Sequence, residues 1–204
     1  MMIYYSIIAA AVVLLAGLLY CEKQERQKAK LAVKAPLSAL FILAAALQSH
    51  PMPPYTRFLL IGMLFCLGGD VFLALPQPKM FLYGLVSFLL GHLFYVAAFF
   101  YAAGINRWTG MGLVVSLLAS GGVYLWLWPR LGDMRNAVIC YIVVISAMAV
   151  GAWSMLGADS LQLSGRILAF GGALSFYVSD IFVARQRFVR TEFLNRLIGL
   201  PLYY

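Results

Sequence analysis

The sequence predicts an all-α fold: a polytopic integral membrane bundle of about eight helices, built as one transmembrane domain over residues 1–204. Three observations carry that expectation. The chain is 64% hydrophobic and 11% charged, far from the roughly 45–50% and roughly 25% of soluble domains. Its apolar residues are gathered into long runs, and a helix needs about 20 apolar residues to cross a hydrocarbon core about 30 Å thick. Its basic residues then fall in alternate loops between those runs.

Seven runs are clear: Ile3 to Tyr20, Ala35 to Gln48, Phe58 to Leu75, Phe81 to Ala103, Thr109 to Trp128, Ala137 to Leu156 and Ile167 to Ala184. The first has no Lys or Arg ahead of it and no small-residue cleavage site behind it, so it is expected to be a retained anchor. The second is short, bracketed by Lys34 and by Pro51, Pro53 and Pro54. An eighth run starts near Phe193 and ends at Tyr204. At about 1.5 Å per residue it falls short of the core, so it is expected as a half-helix or as the start of an incomplete span.

With the amino terminus outside, the inner loops hold twelve basic residues: Lys23, Arg26, Lys28, Lys30, Lys34, Lys79, Arg130, Arg135, Arg185, Arg187, Arg190 and Arg196. The outer loops hold three, Arg57, Arg107 and Arg166. That asymmetry orients the chain and accounts for its +8 net charge through anionic lipid, without a nucleic-acid partner. Trp108, Trp126 and Trp128 stand at the ends of the fifth run, where interfacial aromatic belts form. Cys21, Cys66 and Cys140 are odd in number and widely spaced, so they imply neither a disulfide framework nor a metal pair.

Several chemistries have no motif here. The chain lacks G-x-S-x-G, H-E-x-x-H, C-x-x-C and a phosphate-cradling Gly-rich loop. His50 and His92 are its only histidines, too few for a three-histidine zinc site. No cofactor is implied. Any chemistry must therefore occur within the helices or at their edges.

Of seven carboxylates, Glu22, Glu25, Asp133, Asp159 and Glu192 fall in loops or interfaces and are expected to be solvated. Asp70 and Asp180 lie inside apolar runs. There a carboxylate costs roughly 2.5–3.5 kcal/mol on insertion scales, and it marks either a functional site or a polar bond between helices. Both lie roughly 8–9 Å from the cytoplasmic ends of their runs. The segments Gly69-Asp70-Val71-Phe72-Leu73-Ala74 and Ser179-Asp180-Ile181-Phe182-Val183-Ala184 also match, which suggests two parallel four-helix halves. Gly68, Gly69 and Ser179 would let helices approach closely and bring the two acids to a common cavity.

Other polar residues lie within the runs, with His92 deeper than the two acids, roughly 16 Å from the start of its run. Tyr177 shares a helical face with Asp180, and His92 shares one with Tyr95. The histidine is expected either as an inter-helix hydrogen-bonder or as an orienting group. Lys34, at the cytoplasmic boundary before Pro36, is expected to snorkel or to meet an anionic head group. Two close carboxylates tend to share one proton, the arrangement of acid catalysis through an oxocarbenium-like state.

Lys34-Ala35-Pro36-Leu37, Leu67-Gly68-Gly69-Asp70-Val71-Phe72-Leu73, Gly91-His92-Leu93-Phe94-Tyr95, Ser179-Asp180-Ile181-Phe182-Val183-Ala184 and Pro201-Leu202-Tyr203-Tyr204 occur in this order. In these the chain resembles the YhhN-type lysoplasmalogenase family of membrane hydrolases, over nearly its whole length. The resemblance implies hydrolysis of the vinyl ether bond of lysoplasmalogen to a fatty aldehyde and glycerophosphoethanolamine or glycerophosphocholine. On that reading Asp70 and Asp180 are the catalytic pair, in either order of acid and base. Tyr177, His92 and Tyr95 orient them or water, and Lys34 with Arg185 meets the phosphate. The lysophospholipid would enter from the inner leaflet of a bacterial inner membrane. A proton-coupled transporter using the same two aspartates is the alternative, and a metal site of His92 with both aspartates is a variant of the hydrolase reading. Oligomeric state is left open.

Overall fold

A computed structural model describes residues 2–48 and 51–204. His50 lies outside the described residues. The elements are α1 (Met2–Lys23), α2 (Gln27–Ala46), α3 (Pro53–Leu73), α4 (Met80–Ala103), α5 (Arg107–Leu127), α6 (Arg135–Leu156), α7 (Leu163–Ala184) and α8 (Phe193–Tyr203). Two 3₁₀ turns, Trp128–Arg130 and Gly132–Met134, join α5 to α6, and α7 runs into a π turn at Arg185–Val189. Seven helices are long and apolar enough to cross a membrane, and α8, at 11 residues, is not among them.

Local chemistry explains the helix ends. Pro53 and Pro54 open α3, where a missing amide proton costs nothing. Asn106 and Thr109 form a reciprocal capping box at the start of α5. Gly104, at φ +60°, closes α4 in a conformation that favours glycine.

The second span corrects the expectation in one respect. It begins at Gln27 and not at Ala35, so Lys34 lies two turns inside a helix and away from its edge. The helix continues through this cation because Asp70 neutralises it, as described below.

The helices pack as a ring. In order around it, α1 touches α2, α2 touches α3, α3 touches α4, α4 touches α6, α6 touches α7, α7 touches α8, and α8 returns to α1. The remaining helix, α5, packs on α6, and Val123 and Leu127 near its end reach the cavity wall. Of the two four-helix halves expected from the sequence, α1 therefore takes a place in the ring while its counterpart α5 does not. Phe88 and Phe99 of α4 meet Ile145, Met148, Ala152 and Met155 of α6 in the main core. Large apolar side chains such as Leu113, Leu117, Leu118 and Leu125 of α5 face outward, as lipid-exposed helices require.

Candidate functional site

The sequence expectation that glycines allow close helix approach is realised between α3 and α4. A Cβ at Gly69 would come within 2.5 Å of the Phe88 ring, and one at Gly91 within 2.9 Å of the Gly62 carbonyl oxygen. Small residues thus let two backbones nearly touch, and this fixes the rotation of α3 that turns Asp70 inward. On α7, Ser179 donates to the Gly199 carbonyl of α8 at 2.8 Å, which fixes Asp180 one residue later.

Asp70 is 1% exposed and almost fully coordinated. Lys34 of α2 places its Nζ 2.9 Å from Oδ1. On Oδ2 converge the hydroxyls of Ser38 at 2.5 Å, Tyr203 at 2.7 Å and Tyr204 at 3.1 Å. Lys34 and Ser38 are one turn apart on α2 and so share a face, while the two tyrosines end α8. Taking both charges from water carries a large desolvation cost, and such a pair persists only when its remaining valences are satisfied. Three hydroxyls satisfy them here.

Asp180 has different surroundings. Its Oδ2 accepts a hydrogen bond from Tyr141 of α6, and among the described residues no Lys or Arg lies within ion-pair distance of it. The two aspartates thus keep the matched sequence positions read earlier but occupy electrostatically unlike sites. Asp70 carries a compensating cation and Asp180 does not.

Both open on one cavity of about 1040 Å³, counted to its open mouth. Lys34, Tyr141 and Tyr177 share its lining, and most of the remaining wall is apolar, including Leu85, Phe88, Leu127 and Ile145.

Other expected residues lie elsewhere. Tyr177 lines the cavity, but its hydroxyl pairs with Ser120 at 2.6 Å and not with Asp180. His92 is fully buried and does not line it; Nδ1 donates to the Phe88 carbonyl at 2.6 Å, and the ring packs edge-on against Phe176 and Tyr141. Its Nε2 has no hydrogen-bond partner among the described residues. The metal site considered for His92 with the two aspartates is not formed among the described residues. Tyr95 sits 3.5 Å from Cys66 and lines a second cavity, of about 420 Å³, with Ser38, Tyr203 and Tyr204.

Arg185 is a correction. It is turned toward Glu192, 2.8 Å away, and donates to Asn195, and it does not line the cavity of the aspartates. The π turn it opens directs it back across the α7–α8 junction. Lys34 is corrected too, since it reaches inward to Asp70 instead of snorkelling. Glu22, expected to be solvated, pairs with Lys30 at 2.9 Å. Glu192 likewise holds Arg185 and Arg190, each at 2.8 Å.

Residues 29–204 match the family model described as the YhhN family. The chain belongs to the YhhN family. Its similarity to curated proteins agrees: it is 32% identical over 179 residues to a lysoplasmalogenase of Mycobacterium bovis, a match covering 85% of this chain and 64% of that one. The lysoplasmalogenase of Mycobacterium tuberculosis gives the same figures. Lysoplasmalogenase TMEM86A of Homo sapiens is 29% identical over 171 residues, 81% of this chain and 68% of the relative. The chain thus spans somewhat less than two thirds of the length of the mycobacterial relatives. No solved structure matches.

In this YhhN-family chain the matched stretch contains the groups that, among the described residues, hydrogen-bond or ion-pair with Asp70 or Asp180, from Lys34 to Tyr204. The first helix, α1, precedes it. Sequence reasoning missed Ser38, Tyr141, Tyr203 and Tyr204 as partners, the last two having entered only as part of a terminal motif. Ser38 could have been found from its one-turn spacing to Lys34. Tyr141 had no such signal, being one of 12 tyrosines in the chain. What the arrangement offers chemically is an apolar chamber with one compensated carboxylate and one carboxyl without a cation.

Proposed function

We propose that this YhhN-family chain is a membrane hydrolase that cleaves the vinyl ether bond of lysoplasmalogen, releasing a fatty aldehyde and glycerophosphoethanolamine or glycerophosphocholine. One observation carries the reading: Asp70 and Asp180 open on the same apolar-walled cavity, one ion-paired to Lys34 and the other without a cation. The names of the relatives supply the substrate class.

A vinyl ether is hydrolysed by protonation of its β-carbon, which turns the C=C–O unit into an oxocarbenium ion. Water adds to that cation, and the hemiacetal collapses to aldehyde and alcohol. The reaction needs a proton donor beside the double bond and negative charge beside the cation. Asp180 is assigned as the donor because it faces the apolar cavity with no Lys or Arg within ion-pair distance among the described residues, whereas Asp70 is paired to Lys34. Tyr141 fixes its orientation by holding Oδ2. Asp70, ion-paired to Lys34 at 2.9 Å and bonded by three hydroxyls, faces the cation across the chamber. Proton return to Asp180 accompanies water addition, so the cycle closes without a cofactor.

The single alkyl chain lies against the apolar wall, and the molecule enters from the inner leaflet. The loop charges favour an orientation with the amino terminus outside, and the membrane is read as a bacterial inner membrane. The test is mass-spectrometric analysis of products from purified protein in detergent, given matched lysophospholipids with a vinyl ether or an ester at the same position. Aldehyde from the vinyl ether is the expected product. Absence of aldehyde, with proton-driven uptake appearing only in sealed vesicles, would establish a transporter instead.

A further inference from the structure

A lysophospholipid carries a phosphate, and the cavity must receive it next to two carboxylates. Two cations line the cavity, Lys34 and Arg196; Lys34 is already engaged at close range, as are Arg185 and Lys30. Lys34 is 2.9 Å from Asp70, Arg185 is 2.8 Å from Glu192, and Lys30 is 2.9 Å from Glu22. Arg196 stands on the first turn of α8. It lines the cavity together with Asn195, Lys34 and both aspartates. Among the described residues Arg196 meets only Glu22, at 3.8 Å, and that carboxylate already belongs to Lys30. Its Nε is buried and makes no hydrogen bond among the described residues.

A guanidinium with unused donors, buried in part against an apolar chamber, is chemically incomplete. Its planar fork matches two oxygens of a phosphate. Asn195 next to it is held from three sides: its Nδ2 donates to Gln186 at 2.7 Å and to the Arg190 carbonyl at 2.8 Å, and its Oδ1 accepts from Arg185. The start of α8 is therefore a rigid mount that keeps Arg196 at the cavity.

Resting on the lysoplasmalogen reading, we propose that Arg196 is the phosphate anchor of the substrate, seating the head group at the start of α8 so that the vinyl ether reaches the aspartates. Phosphodiester recognition at this point also explains how a lysolipid is told from a neutral alkylglycerol. The long side chain contributes specificity and leaves proton transfer to the carboxyls.

The experiment uses the full chain in detergent and isothermal titration calorimetry with three probes: a saturated 1-O-alkyl glycerophosphocholine, the corresponding 1-O-alkylglycerol, and inorganic phosphate. A saturated ether cannot be hydrolysed by vinyl ether chemistry, so its binding reports head-group contact whether or not the chain is a hydrolase. Absence of aldehyde from lysoplasmalogen would defeat the catalytic reading separately. The wild-type chain is expected to prefer the phosphate-bearing ether by about tenfold or more. Arg196→Gln should abolish the preference while leaving alkylglycerol affinity unchanged, and Arg196→Lys should restore part of it. Arg187→Gln, which removes an exposed cation stacked on Phe81, should leave the preference intact. A preference that survives in Arg196→Gln, or one lost equally in Arg187→Gln, overturns the proposal. So does inorganic phosphate binding in an Arg196-dependent way where the ether lysolipid does not.

Discussion

At the scale of single residues, the account rests on the unlike partners of two carboxylates. Removing Lys34 leaves Asp70 charged and buried, a mechanism that costs about 3–5 kcal/mol. Lys34→Met should therefore melt far below wild type in a detergent thermal-shift assay, and the double variant Lys34→Met with Asp70→Asn should recover much of the loss. A single variant as stable as wild type would mean that the pair is not closed. Tyr141→Phe removes the hydroxyl that, alone among the described residues, is bonded to Asp180. The expected outcome is a drop in aldehyde release of about tenfold or more, at the scale of one hydrogen bond to an ionisable group, with little change in melting. Asp70 and Asp180 were legible in the sequence because a carboxylate inside an apolar run is costly enough to demand an explanation. Their partners were not, because serine and tyrosine are cheap in a membrane helix and nothing local ties Ser38 or Tyr141 to an acid more than thirty residues away.

Among the elements, the contact between α3 and α4 is the most constrained. Gly69→Ala would push a methyl group into the Phe88 ring, 2.5 Å from the ideal Cβ, and overpacking of this kind costs roughly 1–3 kcal/mol. Gly121→Ala, on α5 with nothing within 4 Å, should be neutral or slightly stabilising, since alanine favours a helix by about 1 kcal/mol over glycine. Thermal melts of the two variants side by side check the pair, and equal melting temperatures would contradict the packing described. Apolar runs located the helices because the hydrocarbon core imposes their length. The start of α2 was misplaced for an instructive reason: Lys34 reads as a boundary from local hydropathy, and only the distant Asp70 allows the helix to pass through it. The π turn after α7 was likewise invisible, since it serves the tertiary network of Arg185, Glu192 and Asn195.

For the whole molecule, the ring of seven helices around two carboxylates is set by contacts between distant parts of the chain. The α8–α1 and α4–α6 contacts, and the packing of α5 beside α6, had no local signature. An orientation with the amino terminus outside is what twelve basic residues against three favour, a global property of composition. A topology reporter fused at Met1 should report an exterior location, and a cytoplasmic score would reverse the leaflet from which substrate enters. The most direct measurement is aldehyde release from a vinyl ether lysophospholipid by purified Asp180→Asn and Asp70→Asn, each with its melting temperature recorded. The account expects Asp180→Asn to remain folded and to lose about a hundredfold or more of the rate, the scale of general acid catalysis, with Asp70→Asn also severely impaired. Turnover near wild type in folded Asp180→Asn would contradict it.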